Sequence, residues 1–157
     1  MEEFNTLKND EKKRAYIHTP LRSHLKSYCF LSYYHCDAKV YTFVKTIADA
    51  DDVILASPVY HRSYSETLKN AFDNLDCDAF WDKVVGLLSH GSTAKNALLS
   101  CKYLVPVVHT LYRQALQYQV ASAKDDFVSE NAGRTWRLNS EDVRARCAHL
   151  VDEMYKF

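Results

Sequence analysis

Residues 51–75, DDVILASPVYHRSYSETLKNAFDNL, decide the fold of this chain. Residues 53–56 are a short, apolar run that begins with two β-branched side chains, which is typical of a strand buried on both faces. Ser63 and Glu66 have capping-box spacing, so a helix is predicted to begin near Ser63. The stretch therefore predicts a strand, a loop and a helix, which together make half of a parallel α/β unit. The helix would bury one apolar stripe, formed by Leu68, Ala71, Phe72 and Leu75.

The rest of the chain alternates strand-like and helix-like segments in the same way. Further strands are predicted at 83–88 and 115–121, and 28–34 is a strand or a buried helix. Helices are predicted from a cap at Asp37 to about residue 50, over 94–112 with a kink or break near Pro106, and after a cap at Ser140. This alternation predicts a parallel sheet covered by helices on both sides. The last helix would bury Val143, Cys147, Leu150, Val151 and Met154.

Composition places the chain among single-domain globular proteins. It has 157 residues, 47% of them hydrophobic and 25% charged, and a formal net charge of zero. We expect a charged arm at 1–14 and one domain at 15–157. Zero net charge gives no general affinity for nucleic acid or anionic membranes. No apolar run approaches a membrane span, no signal-peptide pattern opens the chain, and five scattered cysteines fit reduced thiols, so a cytoplasmic protein is expected.

Two motifs carry a resemblance to a known family. Ser57, Pro58, Val59 and Tyr60 end the first strand, and Leu68, Lys69, Asn70 and Ala71 lie on the following helix. A second strand then runs into a turn at Ser89, His90, Gly91 and Ser92. This combination resembles the NADPH-dependent FMN reductases of the flavodoxin-like superfamily, from about Val40 onward.

The resemblance implies a flavodoxin-like three-layer α/β sandwich with a short parallel sheet. It implies a flavin-dependent oxidoreductase that passes hydride from NAD(P)H through FMN to a small-molecule acceptor. Family members are commonly homodimers or homotetramers, and a partner subunit in a hetero-oligomer is the other expected arrangement. No catalytic acid–base residue and no metal site are expected. The expected FMN-binding residues form two turns: Pro58, Val59, Tyr60, His61, Arg62 and Ser63, then Ser89, His90, Gly91 and Ser92.

The N-terminal part departs from the family pattern. Family members begin with a strand and a glycine-bearing loop whose backbone N–H groups hold the FMN phosphate, whereas this chain has no glycine before Gly86. Thr19, Arg22 and Ser23 echo that loop only superficially. The fold is therefore predicted to be shortened at its N-terminus, with the apolar strand at 53–57 covered either by 28–34 or by a partner chain. A carboxylate at Asp37 would oppose phosphate binding at the next helix.

These departures favour a second hypothesis, in which the protein is a degenerate flavodoxin-like chain without FMN. It would serve as a partner subunit or use the cleft for other small-molecule chemistry. His61 and Arg62 stand where the family has Asn-Gly, and a glycine there allows close approach of the backbone to the flavin. Arg62 is alternatively a clamp for a phosphate or a carboxylate, or a solvated surface arginine. A metal site at His61 and His90 lacks a third ligand, and Cys29 and Cys36 lack the partners of an iron–sulfur cluster.

Overall fold

The computed structural model describes residues 14–18, 38–130 and 133–157. The element order follows the predicted alternation, with an additional two-stranded hairpin near the end. In chain order the elements are β1 (Arg14–His18), α1 (Ala38–Ala48), β2 (Asp52–Pro58), α2 (Glu66–Phe72), β3 (Val84–Gly91), α3 (Leu99–Thr110), β4 (Ala115–Ala123), a 3₁₀ turn (Lys124–Asp126), β5 (Phe127–Glu130), β6 (Thr135–Leu138) and α4 (Glu141–Met154).

Four strands form one parallel sheet in the spatial order β1-β2-β3-β4. On one face, alternate residues of β2 and β3 pack against α2, α3 and Ile47 of α1. On the other face, Ile54 and Val84 pack against Met154 of α4. The described residues thus form three layers with the sheet in the middle, as the sequence predicts. Because β2 and β3 are covered on both faces, their side chains are apolar almost without alternation.

The strand that covers β2 is β1, and the two predicted alternatives are wrong. Arg14 pairs with Asp52 and His18 with Ala56 along a parallel register of five residue pairs. Neither residues 28–34 nor a partner chain therefore takes this position beside β2. The apolar residues of β1, AYI at 15–17, directly follow three basic residues, KKR. So short an apolar run does not distinguish a strand from the charged arm before it. Residues 28–34, together with Thr19, Arg22, Ser23, Cys29, Cys36 and Asp37, lie outside the described residues.

Three further predictions need correction. The predicted Ser63 cap is wrong, because α2 begins at Glu66 and its cap is Ser65, whose side chain accepts a hydrogen bond from the Leu68 N–H. Residues 94–98 are turns rather than the start of α3, which begins at Leu99 and contains Pro106. The residues between β4 and α4 contain the β5–β6 hairpin, which is not among the strands expected from the sequence.

The predicted Ser140 cap is confirmed, and so is the buried stripe of α4. The Ser140 hydroxyl accepts a hydrogen bond from the Val143 N–H at 3.3 Å, and all five predicted stripe residues are buried.

Among the described residues, no helix is both long enough and apolar enough to span a bilayer. The division into an arm at 1–14 and a domain at 15–157 stays a prediction, although β1 begins one residue before that boundary.

Candidate functional site

The two turns singled out from the sequence lie side by side at the carboxyl edge of the sheet. Pro58 at the end of β2 is in register with His90 near the end of β3. The Val59 N–H donates a hydrogen bond to the His90 carbonyl at 2.7 Å, which ties the first turn to the end of β3. Ligands of open α/β sheets bind at this edge, because the loops that follow the strands meet there. The structure therefore brings both predicted segments to one place.

The first turn is a tight reversal at residues 60–63. Tyr60 and Ser63 exchange two backbone hydrogen bonds of 2.9 Å each. The two residues between them adopt left-handed conformations, with φ of 47° at His61 and 71° at Arg62. Such conformations favour glycine, so this backbone has the shape of a glycine turn but carries two large side chains. Within the described residues, neither His61 nor Arg62 donates its N–H to a backbone carbonyl.

Buried serine hydroxyls hold this turn in place. The Ser57 hydroxyl accepts a hydrogen bond from the Ser65 N–H and donates one to the Pro58 carbonyl, both at 2.9 Å. The hydroxyl of Ser100, on α3, lies 2.9 Å from the Pro58 carbonyl and 3.2 Å from the Ser63 carbonyl. Because Ser57 and Ser100 are almost fully buried, these bonds are shielded from water and fix the turn against the helix that follows β3.

We expect the substitution Ser100→Ala to lower the free energy of unfolding by about 1–3 kcal/mol, because it removes a buried donor shared by two carbonyls. It should also speed hydrogen exchange at the amides of Tyr60 and Ser63, measured by mass spectrometry beside chemical denaturation. Thr110→Ala is the matched control, since Thr110 lies on the same helix and its exposed hydroxyl only bonds the Val107 carbonyl. Equal effects of the two substitutions would contradict the anchoring role of Ser100.

The second turn is packed more tightly than the first. The Ser89 hydroxyl is buried and donates a hydrogen bond to the Ala97 carbonyl. Gly91 is also buried, and a Cβ at this position would lie 2.7 Å from the Ala97 Cα. Ser92 is exposed and does not cap α3, whose N-cap residue is Leu98, without a side-chain hydrogen bond. The second turn thus brings the end of β3 into direct contact with the turns before α3.

The His90 side chain connects the second turn to the hairpin. Its ring is exposed, and its Nδ1 lies 3.1 Å from the Ser122 hydroxyl. The rings of His90 and Phe127 meet edge to face at a centroid distance of 5.4 Å. His90 is therefore already engaged with β4 and β5. The described part of the chain contains no group of three or more His, Cys, Asp or Glu residues arranged to hold a metal ion.

The similarity of this chain to a known protein family extends well beyond these two turns. Residues 7–126, about three quarters of the chain, match the family described as NADPH-dependent FMN reductase. The chain belongs to this family. The resemblance drawn from the Pro-Val-Tyr turn and the Leu-Lys-Asn-Ala helix is thereby confirmed.

Relatives of this FMN reductase family member include an FMN-dependent NADPH-azoreductase of Staphylococcus aureus. It is 37% identical over 109 residues, which cover 69% of this chain and 56% of the azoreductase. The chain therefore spans little more than half the length of the curated relatives that it matches.

Solved structures show the same fold. An NADH:FMN oxidoreductase in its apo form superposes with a TM-score of 0.62 at 23% identity, covering 75% of this chain and 59% of that one. The NAD(P)H:(acceptor) oxidoreductase of Paracoccus denitrificans superposes with a TM-score of 0.60 at 17% identity, covering 85% and 76%. The predicted flavodoxin-like fold is confirmed. At these identities the likeness concerns the fold alone.

Two groups of residues at this edge were missed from the sequence. Ser57 and Ser100 are ordinary small polar residues, and only their burial beside the turn reveals that they hold it. The hairpin was missed because β5 and β6 are only four residues long. The sequence did hold a signal, because apolar residues flank a polar stretch that contains Gly133. These residues are Phe127, Val128, Trp136 and Leu138.

Cys101 lies beneath the site and is expected to be unreactive. Burial raises the pKa of its thiol from an ordinary value of 9.0 to about 11, so less thiolate exists at any pH below that value. We expect a thiol reagent at about pH 8 to modify exposed Cys77 and to spare Cys101 until denaturant is added. Peptide mapping by mass spectrometry measures each cysteine separately. Modification of Cys101 in the native protein at the rate of Cys77 would contradict this expectation.

Proposed function

We propose that this chain forms the flavin-binding part of an NAD(P)H-dependent oxidoreductase that reduces small-molecule acceptors. The observation that supports it best is the pairing of the two turns at the carboxyl edge of the sheet, joined by the bond between Val59 and His90. In a member of the FMN reductase family, this edge is where the cofactor is expected. When bound, FMN would supply the chemistry of accepting a hydride from NAD(P)H and passing two electrons to an acceptor.

The residues at this edge fit the ring end of FMN. Among the described residues, the N–H groups of His61 and Arg62 donate to no backbone carbonyl, and the neighbouring Tyr60 is 60% exposed. Backbone N–H donors and an aromatic ring suit the polar edge and the flat face of a flavin. Residues 19–37, which follow β1 in the sequence, lie outside the described residues. The proposed contacts are Pro58, Val59, Tyr60, His61, Arg62 and Ser63 from the first turn, with Ser89, His90, Gly91 and Ser92 from the second.

In this proposal the protein positions the flavin and supplies no proton. The buried hydroxyls of Ser57 and Ser100 fix the first turn before the cofactor arrives, which lowers the conformational cost of binding. The close contact of Gly91 with Ala97 fixes the second turn in the same way. The two rings that exchange hydride would then meet against a rigid edge of the sheet.

An absorbance spectrum of the purified protein tests the proposal directly. We expect flavin bands, either as isolated or after incubation with FMN and removal of the excess, at close to one flavin per chain. Riboflavin in place of FMN separates recognition of the ring from recognition of the phosphate. The loaded protein should then oxidise NADPH or NADH in the presence of an acceptor. A protein that stays colourless with both flavins would contradict the proposal and favour the degenerate alternative.

The substitution Arg62→Gly is expected to strengthen FMN binding roughly tenfold, because it removes a bulky side chain from the turn and a strained left-handed residue. It should also raise the free energy of unfolding by about 1 kcal/mol. Asp82→Gly is the matched control, since Asp82 is also left-handed, with φ of 61°, but lies in the loop before β3. We expect it to raise stability without changing the FMN dissociation constant in fluorescence titrations. Weaker binding by Arg62→Gly would instead indicate that Arg62 contacts the cofactor as a clamp.

The assembly and location are proposed from the same family membership. We infer a cytoplasmic homodimer or homotetramer, with the domain at 15–157 as its unit. Light scattering of the purified chain measures its mass directly, and a monomer over a wide range of concentrations would contradict the homo-oligomer. A mass that changes only after another protein is added would favour the hetero-oligomer.

A further inference from the structure

A cavity opens beside the proposed flavin site and shares one residue, His90, with it. It has a volume of about 430 Å³ and is lined by His90, Lys124, Phe127 and Trp136. His90 belongs to both places, since its carbonyl accepts the Val59 N–H of the first turn while its ring meets Phe127. The cavity therefore adjoins the proposed flavin turns at the same edge of the sheet.

The hairpin builds one wall of this cavity. Phe127 pairs with Leu138 and Ser129 pairs with Trp136, so all four side chains lie on one face of the hairpin. Leu138 packs against the cluster of Val120, Val143 and Leu150. Phe127 and Trp136 therefore lie on the face that turns toward the body of the protein, and yet Trp136 is 54% exposed. A large ring left half open beside a cavity is a surface on which a flat ligand can stack.

Contacts at both ends hold the hairpin in place. The Asp126 carbonyl accepts hydrogen bonds from the N–H groups of Asn139 and Ser140 at 2.8 and 3.2 Å, which closes its base. Arg144 of α4 donates to the Leu138 carbonyl at 2.9 Å, and Arg137 pairs with Glu130 at 2.8 Å on the outer face. The aromatic wall is thus fixed before any ligand binds, which reduces the entropic cost of binding.

Lys124 gives the cavity its charge. No carboxylate is found among the described residues that line the cavity. On the same 3₁₀ turn, Asp126 uses its carboxylate to accept the Ala123 N–H at 2.7 Å. Asp125 is exposed and is not part of the lining. Flat aromatic surfaces together with one ammonium group select a flat aromatic ligand that carries one negative charge.

We propose that this cavity binds planar aromatic anions, such as aryl carboxylates and aryl sulfonates, stacked on Trp136 and Phe127 and paired with Lys124. As a binding site it is independent of the flavin. Its role as the acceptor site rests on the proposed function. In that role, NAD(P)H is oxidised to NAD(P)⁺ and the aromatic acceptor gains two electrons and two protons, one derived from the hydride and one from solvent.

The test uses tryptophan fluorescence, because the chain has only two tryptophans. The substitution Trp81→Phe removes the other one, which lies beside Tyr112 in the loop before β3, and leaves Trp136 as the only reporter. After any bound flavin has been removed from this variant, we expect 4-nitrobenzoate to quench Trp136 with a saturable curve. Neutral 4-nitrobenzamide should bind roughly tenfold more weakly, because it lacks the charge that Lys124 recognises.

Two variants identify the binding groups. Lys124→Gln should reduce the affinity for 4-nitrobenzoate to that for 4-nitrobenzamide, whereas Lys102→Gln, an exposed lysine of α3, should change neither. Trp136→Leu in the otherwise unchanged protein should weaken both ligands at least tenfold in calorimetric titrations. Thermal unfolding of each variant checks that the fold is retained.

The results separate the two proposals. Quenching that rises linearly without saturation, equal affinity for the two ligands, or binding that survives both Lys124→Gln and Trp136→Leu would overturn the aromatic-anion site. If the protein retains FMN but fails these titrations, the aromatic-anion site is contradicted and the oxidoreductase proposal stands. A protein that binds 4-nitrobenzoate in the expected way but never retains flavin supports the site and contradicts the oxidoreductase proposal.

Discussion

The substitution Phe80→Ala is expected to lower the free energy of unfolding by about 3–5 kcal/mol. The Phe80 side chain is fully buried, and its ring meets the ring of Phe72 edge to face at a centroid distance of 6.4 Å. Truncation would lose the burial of a large ring and would leave a cavity between α2 and the loop before β3. For a domain of this size, such a loss corresponds to a fall in melting temperature of roughly 10 °C or more.

The neighbouring aromatic residue is the matched control for Phe80. Trp81 is 66% exposed and contacts only the ring of Tyr112 among the ring pairs of the described residues. We therefore expect Trp81→Ala to cost less than about 1 kcal/mol, as is usual for exposed positions. Urea denaturation of both variants measures the difference. Similar losses for the two substitutions would mean that the loop does not direct one ring inward and the other outward.

The opposite burial of Phe80 and Trp81 could not be predicted from hydrophobic periodicity. The sequence predicts the stripe of α2 from its helical spacing, β2 and β3 from their continuous apolar runs, and the start of α4 from the Ser140 cap. Phe80 lies in the loop between α2 and β3, where no period exists to show which side chain turns inward. Its burial depends on contacts with α2 that only the folded chain defines.

At the carboxyl edge of the sheet, too, the sequence predicts some features and misses others. The two site turns were predicted because each follows a buried strand, and parallel strands end at one edge. The Ser63 cap was wrong because the competing turn at 60–63 uses Ser63 to bond Tyr60, which delays the helix until Glu66. β1 was missed because five residues flanked by charges give little strand signal on their own, while pairing along β2 stabilises them in the fold.

The substitution Gly91→Ala is expected to lower the free energy of unfolding by about 3 kcal/mol, because the added methyl group overpacks a backbone contact. The new Cβ would lie 2.7 Å from the Ala97 Cα and 3.0 Å from the Ala97 nitrogen. Neither atom can move without displacing the turn before α3. Since the Ser89 hydroxyl bonds the Ala97 carbonyl in that turn, the second proposed flavin turn would shift as well.

Gly86→Ala separates this effect from the loss of a glycine in a strand. Gly86 lies on the same strand, but its added Cβ would meet the Met154 sulfur at 3.0 Å, at the flexible end of a side chain. We expect that substitution to cost less than about 1 kcal/mol, because methionine readily adapts its shape. Only Gly91→Ala should also weaken FMN retention, measured by absorbance after removal of free flavin. If Gly91→Ala lost stability but retained FMN at the level of Gly86→Ala, the turn at residues 89–92 would not be part of the flavin site, and the first turn alone would have to hold the ring.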